Sequence, residues 1–144
     1  MAAAPSTYDD RYLAGIVLFN RHDFFEAHEV WEDLWMDRAG PEKRFVQGLI
    51  QAAVGLLHFG NGNVRGARKL YFSSRDYMQP YGVHYLGMDN AGFWQQMAKC
   101  FQRLLATDEP DRTIELDLDL VPAIALEPPP ASWPDPAKFL EHED

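Results

Sequence analysis

The chain has almost no cysteine, little lysine and no long unbroken apolar run, and each shortage closes off a class of protein. Among its 144 residues Cys100 is the one cysteine, so no disulfide can form within it. Basic residues lean to arginine, the lysines being Lys43, Lys69, Lys99 and Lys138. Thirteen basic side chains stand against 22 acidic ones, a formal charge of −9. A surface of that sign repels phosphate backbones and anionic lipid, which argues against nonspecific nucleic-acid or membrane binding. High acid with few lysines also suits a salt-rich cytoplasm, where screening removes self-repulsion. The opening MAAAPSTYDD lacks the basic and apolar regions of a signal peptide. The longest uncharged apolar stretch ends near Gly60 and is interrupted by Gln51 and His58, too short and too polar to span a bilayer. A soluble, cytoplasmic protein is the expectation.

Complete catalytic motifs are missing as well. No serine elbow, P-loop or dinucleotide fingerprint is present, and the glycines of GNGNVRG (60–66) lack the preceding strand such loops need. HEVWE (28–32) resembles the first half of the zinc motif H-E-x-x-H, but Glu32 stands where the second imidazole is required. No glutamate has a histidine three residues later, as carboxylate di-iron bundles demand. Cys100 sits on an apolar face with no base nearby in sequence, the setting of an inert thiol.

What is present is helical. A hydrophobic fraction of 47% and 13% aromatics describe one folded domain. Residues 8–21 carry a helical apolar stripe through Tyr12, Leu13, Ile16, Val17 and Phe19, with Asp9 or Asp10 as its cap. A second helix begins near Asp23, with Phe24, Ala27, Trp31, Leu34 and Trp35 on one face. Gly40-Pro41 breaks the chain. Residues 42–60 are then apolar around nearly the whole circumference, the mark of a helix surrounded by others. Gly48, Ala52 and Gly55 allow close backbone approach along it, and Asn63 caps a fourth helix over 64–78. After a Pro80/Gly82/Gly87 loop, Asp89 caps a fifth helix reaching Leu105. From Ile114 to Leu120 apolar and acidic residues alternate with strand periodicity. Without a partner strand, this predicts an extended arm laid on the helices or an edge offered to a second copy. Six prolines between Pro122 and Pro136 stiffen the tail, with PAKFLEHED as a docking segment.

Against this frame the polar exceptions define the candidate site. His28 falls inside the second helix's apolar stripe and Glu32 at its edge, i and i+4, close enough to share a hydrogen bond or a metal. The catalytic candidates are His28, Glu29 and Glu32. A divalent metal, as the cofactor this cluster would suit, would be held by His28, Glu32 and His58. Gln47 and Gln51, on one stripe of the third helix with His58, are ligand-binding candidates, together with Arg68 and Arg75 from the fourth helix's basic face. A plainer reading makes the His/Glu/Gln set a structural network, since buried polar groups must be hydrogen-bonded. On that reading the basic face pairs with surplus acid.

The runs FNRHDFFEAHEVWEDLW and QGLIQAAVGLLHFGNGNVRGARKL are similar to a prokaryotic family catalogued as domain of unknown function 309, over about residues 12–82. The resemblance implies an all-helical fold with a central helix, and it carries no activity or cofactor. The expectation is therefore an all-α bundle of five or six helices around residues 42–60. It comprises a helical domain over 1–107 and an acidic, Pro-rich arm over 108–144, packed on the bundle or on a neighbouring subunit. Functionally it is a non-enzymatic module for a protein or small-molecule partner, with self-association through the arm. The alternative is a small metal-dependent or acid/base hydrolase at the histidine cluster.

Overall fold

The central element is α3 (Gly40–Gly60), with α2 (Phe24–Met36) against one part of it and α4 (Val64–Met78) against another. The computed structural model describes residues 8–140, and within them the fold is all-α, as expected: α1 (Asp10–Asn20) packs on α2, and α5 (Asn90–Cys100) and α6 (Gln102–Leu105) complete the bundle. A two-strand antiparallel hairpin, β1 (His84–Tyr85) and β2 (Met88–Asp89), precedes α5.

Three of the helices begin at a side-chain cap that the sequence supplies. Asp9 accepts from the Arg11 amide, Asn63 from that of Gly66 and Asp89 from that of Gly92, each filling an orphan donor of the first turn. Pro41 occupies the first turn of α3, where its missing N–H costs nothing. Two helices close alike: left-handed His22 and Gly62 let the amides of Asp23 and Asn63 reach back to Leu18 and His58.

The core follows the apolar stripes. Trp31 is fully buried where α1 meets α2, and its indole N–H donates to the Tyr12 carbonyl at 3.2 Å. Phe45, Val46, Leu49, Ala53 and Leu56 bury α3 among its neighbours. Gly48 lets α3 approach Met78 of α4 so closely that an added Cβ would lie 2.3 Å from its Cγ. The fifth helix is interrupted at Phe101, so α5 and α6 are separate pieces of the expected single segment.

The alternating segment over 114–120 lies as an extended arm along the helices, one of the two arrangements expected of it, and forms no strand. Nothing pairs with that segment among the described residues; Leu118–Leu120 make a single 3-10 turn. Alternation survives only as burial: Ile114, Leu116 and Leu120 pack on the core, whereas Leu118 is exposed. Further on, Val121, Ile124 and Leu126 enter the core of their own chain. Burial on that scale stabilises by about 1.5–3 kcal/mol per large side chain. Polar clasps fix the register. The Asn20 side chain both donates to and accepts from the Ile124 backbone, and Gln96 donates to the Leu120 carbonyl. The arm closes against the hairpin through a bridge from Met88 to Leu126. The end of the PAKFLEHED segment and the first seven residues lie outside the described residues.

No helix among the described residues is long and apolar enough to cross a membrane. Cys100 is buried on α5; burial first, and then the negative charge of Asp117, push its thiol up to about 12. Native protein at pH 8 should therefore show almost no reaction with a disulfide reagent, and one thiol per chain should appear on unfolding in guanidinium. Rapid native labelling would contradict the buried placement.

Candidate functional site

His28 lies on the flank of α2 with its side chain 17% exposed. Its Nδ1 donates to the Phe25 carbonyl at 2.7 Å, one turn back, which sets the tautomer of the neutral ring. That leaves Nε2 3.7 Å from a Glu32 carboxylate oxygen. The Glu32 side chain is more than half exposed, so even a charged pair here is worth only about 0.3–0.5 kcal/mol. Glu29 is half-buried on the same helix, and among the described residues no hydrogen bond or ion pair ties it to either neighbour.

The remaining members of the expected cluster lie elsewhere. Gln51 accepts a 2.5 Å hydrogen bond from Ser73 of α4, so its amide serves the α3–α4 contact and not His28. Gln47 is half-buried on α3, and His58 stands in that helix's last turn. Among the described residues no three His, Cys, Asp or Glu side chains come together to hold a metal, so His28, Glu32 and His58 are not assembled as a ligand set. The physical reason is the packing order: α3 lies between α2 and α4, and Gln51 is engaged on the α4 side.

The arginines of α4 diverge in role. Arg68 donates from Nε to the Leu104 carbonyl at 3.1 Å and reaches Asp108 at 3.5 Å, tying α4 to the start of the arm. With Arg65, Lys69 and Phe72 it lines a shallow groove of about 320 Å³ that Asp108 partly neutralises. Arg75 is less committed. Its guanidinium lies over the rings of Phe72 and Tyr71, at 5.2 and 5.9 Å. Its one carboxylate contact is a long 3.4 Å pair with the exposed Asp76, and its Nε–H is buried without a partner.

Arg75 also lines a groove of about 530 Å³ between α4 and α5, with Tyr71, Val83, Asn90 and Trp94. Asn90, the first residue of α5, donates through Nδ2 to the carbonyls of Met78 at 2.8 Å and Gly82 at 2.9 Å. Carbonyls can only accept, so the amide cannot be flipped, and Oδ1 is left as an acceptor without a donor. Trp94 contributes an indole N–H that is also buried and unpaired. Burial pushes the Tyr71 hydroxyl above its usual range, outweighing the charge and hydrogen bond of Arg75 that pull it down, so the phenol stays neutral.

Four buried side-chain polar atoms lack partners among the described residues, and three of them belong to residues of this one groove; the fourth, Trp35 Nε1, is on α2. Grooves of about 430 Å³ along the arm and 450 Å³ beside Arg112 are comparable in size, yet no unpaired atom belongs to their walls. Orphaned buried groups cost about 1–3 kcal/mol each, so their concentration distinguishes this place from the rest of the surface. Sequence reasoning had singled out Arg75 but not Asn90 or Trp94.

The architecture thus defines a small helical bundle with a groove between two of its helices. Through residues 12–70 the chain belongs to the family described as Domain of unknown function (DUF309), whose model matches that stretch, as the HEVWE and QGLIQ elements had suggested. It is also 32% identical over 101 residues to Uncharacterized protein YpuF of Bacillus subtilis (strain 168), an alignment covering 67% of this chain and 58% of the relative. The chain therefore spans a little over half the length of that relative. Arg75, Val83, Asn90 and Trp94 all lie beyond the stretch the family model matches.

Proposed function

We propose that the protein is a non-enzymatic binding module whose ligand is a polar organic molecule held in the α4–α5 groove. One observation carries this reading: Arg75, Asn90 and Trp94, each with a buried polar atom that lacks a partner among the described residues, all line a single groove. A ligand that supplies their missing partners recovers desolvation cost already incurred in the folded protein, which is the physical basis of preorganised affinity. On this reading the His28–Glu32 pair is structural, with its imidazole anchored to the backbone of Phe25. We place the module in the cytoplasm on its acid excess and its lone, unpaired cysteine.

The test is a thermal-shift screen of organic acids, amides and amines, run in parallel on wild type, Arg75→Met and His28→Ala. A true ligand at a hundred times its dissociation constant adds about 2.7 kcal/mol, a shift of several degrees. The expected hits stabilise wild type and His28→Ala alike and leave Arg75→Met unmoved. Hits abolished by His28→Ala but indifferent to Arg75→Met would move the site to α2 and end this proposal.

A further inference from the structure

We infer that the outer face of α2, α3 and α4 docks a second copy of this chain, in a two-fold pair that lays α2 of each copy over α4 of the other. The inference is independent of the α4–α5 groove. It begins with α3, which is apolar around nearly its whole circumference although its main neighbours are α2 and α4. Phe45, Leu49, Ala52 and Leu56 fill its core side. Helical spacing puts Gln47, Ile50 and Val54 on the opposite side, and all three are left half-buried. Both flanks of that strip are in place. Lys43 of α3 lies over the Trp35 ring of α2 at 4.1 Å, and Arg44 over the Tyr77 ring of α4 at 4.8 Å. On α2, Phe25, Glu29, Glu32 and Met36 share one outward stripe at i, i+4, i+7 and i+11, and both Phe25 and Met36 are exposed.

Charge decides what covers this face. α2 carries four acidic side chains and no lysine or arginine, whereas α4 carries four basic side chains and a single acid. Glu29 on α2, and the exposed Arg65 and Lys69 on α4, form no ion pair or hydrogen bond among the described residues. With α3 between them, the two walls cannot neutralise each other within one chain. A second copy turned about a two-fold axis lying in the face brings the acidic wall of each onto the basic wall of the other. A face that holds both halves of its own complement is what an isologous contact requires. An unrelated acidic protein would match α4 alone, and a basic one α2 alone. The size is sufficient: 21 residues of α3 span about 30 Å and three helices side by side about 20 Å, so a pair covers about 1,200 Å², the lower end of stable interfaces. Arg75 and Tyr71 line the α4–α5 groove from a different flank of α4, so pairing leaves that groove open.

The experiment is sedimentation velocity on the full chain over a wide concentration range. It compares wild type with Glu29→Lys/Glu32→Lys, Arg65→Glu/Lys69→Glu and an equimolar mixture of the two, with circular dichroism to confirm that each is folded. Wild type should dimerise reversibly, and more weakly as salt screens the facing walls. Each variant alone sets like charge on like and should dimerise at least about tenfold more weakly. The α2 variant is less acidic overall than wild type, so its weakening cannot come from general repulsion. In the mixture, lysines on α2 of one chain meet glutamates on α4 of the other, and the native pairing is kept at the second contact. The mixture should therefore regain the affinity of wild type. A wild-type chain that stays monomeric at millimolar concentration overturns the inference. So does a dimer indifferent to both charge reversals, and one abolished by Leu118→Asp instead belongs to the arm.

Discussion

Replacing Gly15 by alanine should destabilise the protein by about 3 kcal/mol, although alanine is the better helix former by about 1 kcal/mol. Gly15 faces Trp31, and a Cβ there would lie 2.0 Å from the indole nitrogen and 2.4 Å from two ring carbons. The indole cannot yield cheaply. It is fully buried, its ring centroid is 6.0 Å from that of Phe19, and its N–H is bonded to the Tyr12 carbonyl. Making room forces the ring off its rotamer, at about 1–3 kcal/mol for overpacking, and leaves that N–H unpaired at about the same cost. These two losses outweigh the gain in helix propensity. Gly55→Ala is the matched control. Its Cβ meets only ordinary contact, 3.4 Å from the Leu70 Cβ, so the propensity gain should stand and stability should hold or rise. Denaturant unfolding of the two variants measures the difference. Equal stabilities would mean that α1 and α2 are not packed through this indole.

Trp31 also illustrates how far the sequence could be read. Its place on the stripe of Phe24, Ala27, Leu34 and Trp35 predicted burial on α2, because helical periodicity alone decides which face turns inward. The partner on α1 was hidden, since a glycine contributes nothing to an apolar stripe. Caps at Asp9, Asn63 and Asp89 were legible for a local reason, each needing only the backbone of its own first turn. The hairpin was not. Its two-residue turn holds Leu86 and Gly87 at φ of 49° and 78°, and a leucine at positive φ is not a signal any turn rule would supply. In the arm, strand-like alternation left two readings open, a chain laid on the helices or an edge for a second copy. Period two reports only that alternate side chains are buried, and a chain laid against helices meets that condition without a ladder.

The candidate site was half legible for a related reason. Arginines on α4 announced themselves as the positive patch of an acidic chain, and Arg75 proved the one whose Nε is buried without a partner among the described residues. Asn90 and Trp94 gave no such notice. Asparagine after a capping aspartate looks like turn chemistry, and Trp94 belongs to an apolar face. What makes them a site is a tertiary fact, namely that the Met78 and Gly82 carbonyls consume the amide's donors and leave its oxygen bare. The HEVWE histidine shows the converse. Spacing correctly brought His28 near Glu32, but spacing could not show that the backbone of Phe25 would claim its other nitrogen.

Acid should weaken the protein through Asp9, and the pattern of loss should separate its two duties. Asp9 caps α1 by accepting from the Arg11 amide at 2.8 Å, and its carboxylate also takes 3.1 Å bonds from the Arg11 side chain and a 2.6 Å bond from Arg38. Arg38 in turn holds Glu42 of α3 at 3.1 Å, and Arg11 holds Asp37 at the end of α2, so one carboxylate joins three helix ends. Burial on its own would raise the Asp9 pKa. The hydrogen bonds from Arg11 and the charges of Arg11 and Arg38 more than offset that and hold it below the usual carboxylate value. A carboxylate depressed in the folded state contributes stability that is fully present above its unfolded pKa, about 3.9, and is lost as pH falls through the lower folded value. Asp9→Asn keeps a competent cap but removes the charge, and should cost about 1 kcal/mol at pH 7. That gap should be constant from pH 7 to about 5 and shrink below about 4, as wild type loses the same charge. Asp9→Ala removes the cap as well and should cost about 2 kcal/mol at pH 7, with about 1 kcal/mol of the difference surviving in acid, because a protonated carboxyl still offers an oxygen to the Arg11 amide. Urea unfolding of the three proteins between pH 3 and 7 reads all of this directly. An Asp9→Asn gap that does not narrow in acid would show that the arginines hold this junction through something other than the carboxylate's charge.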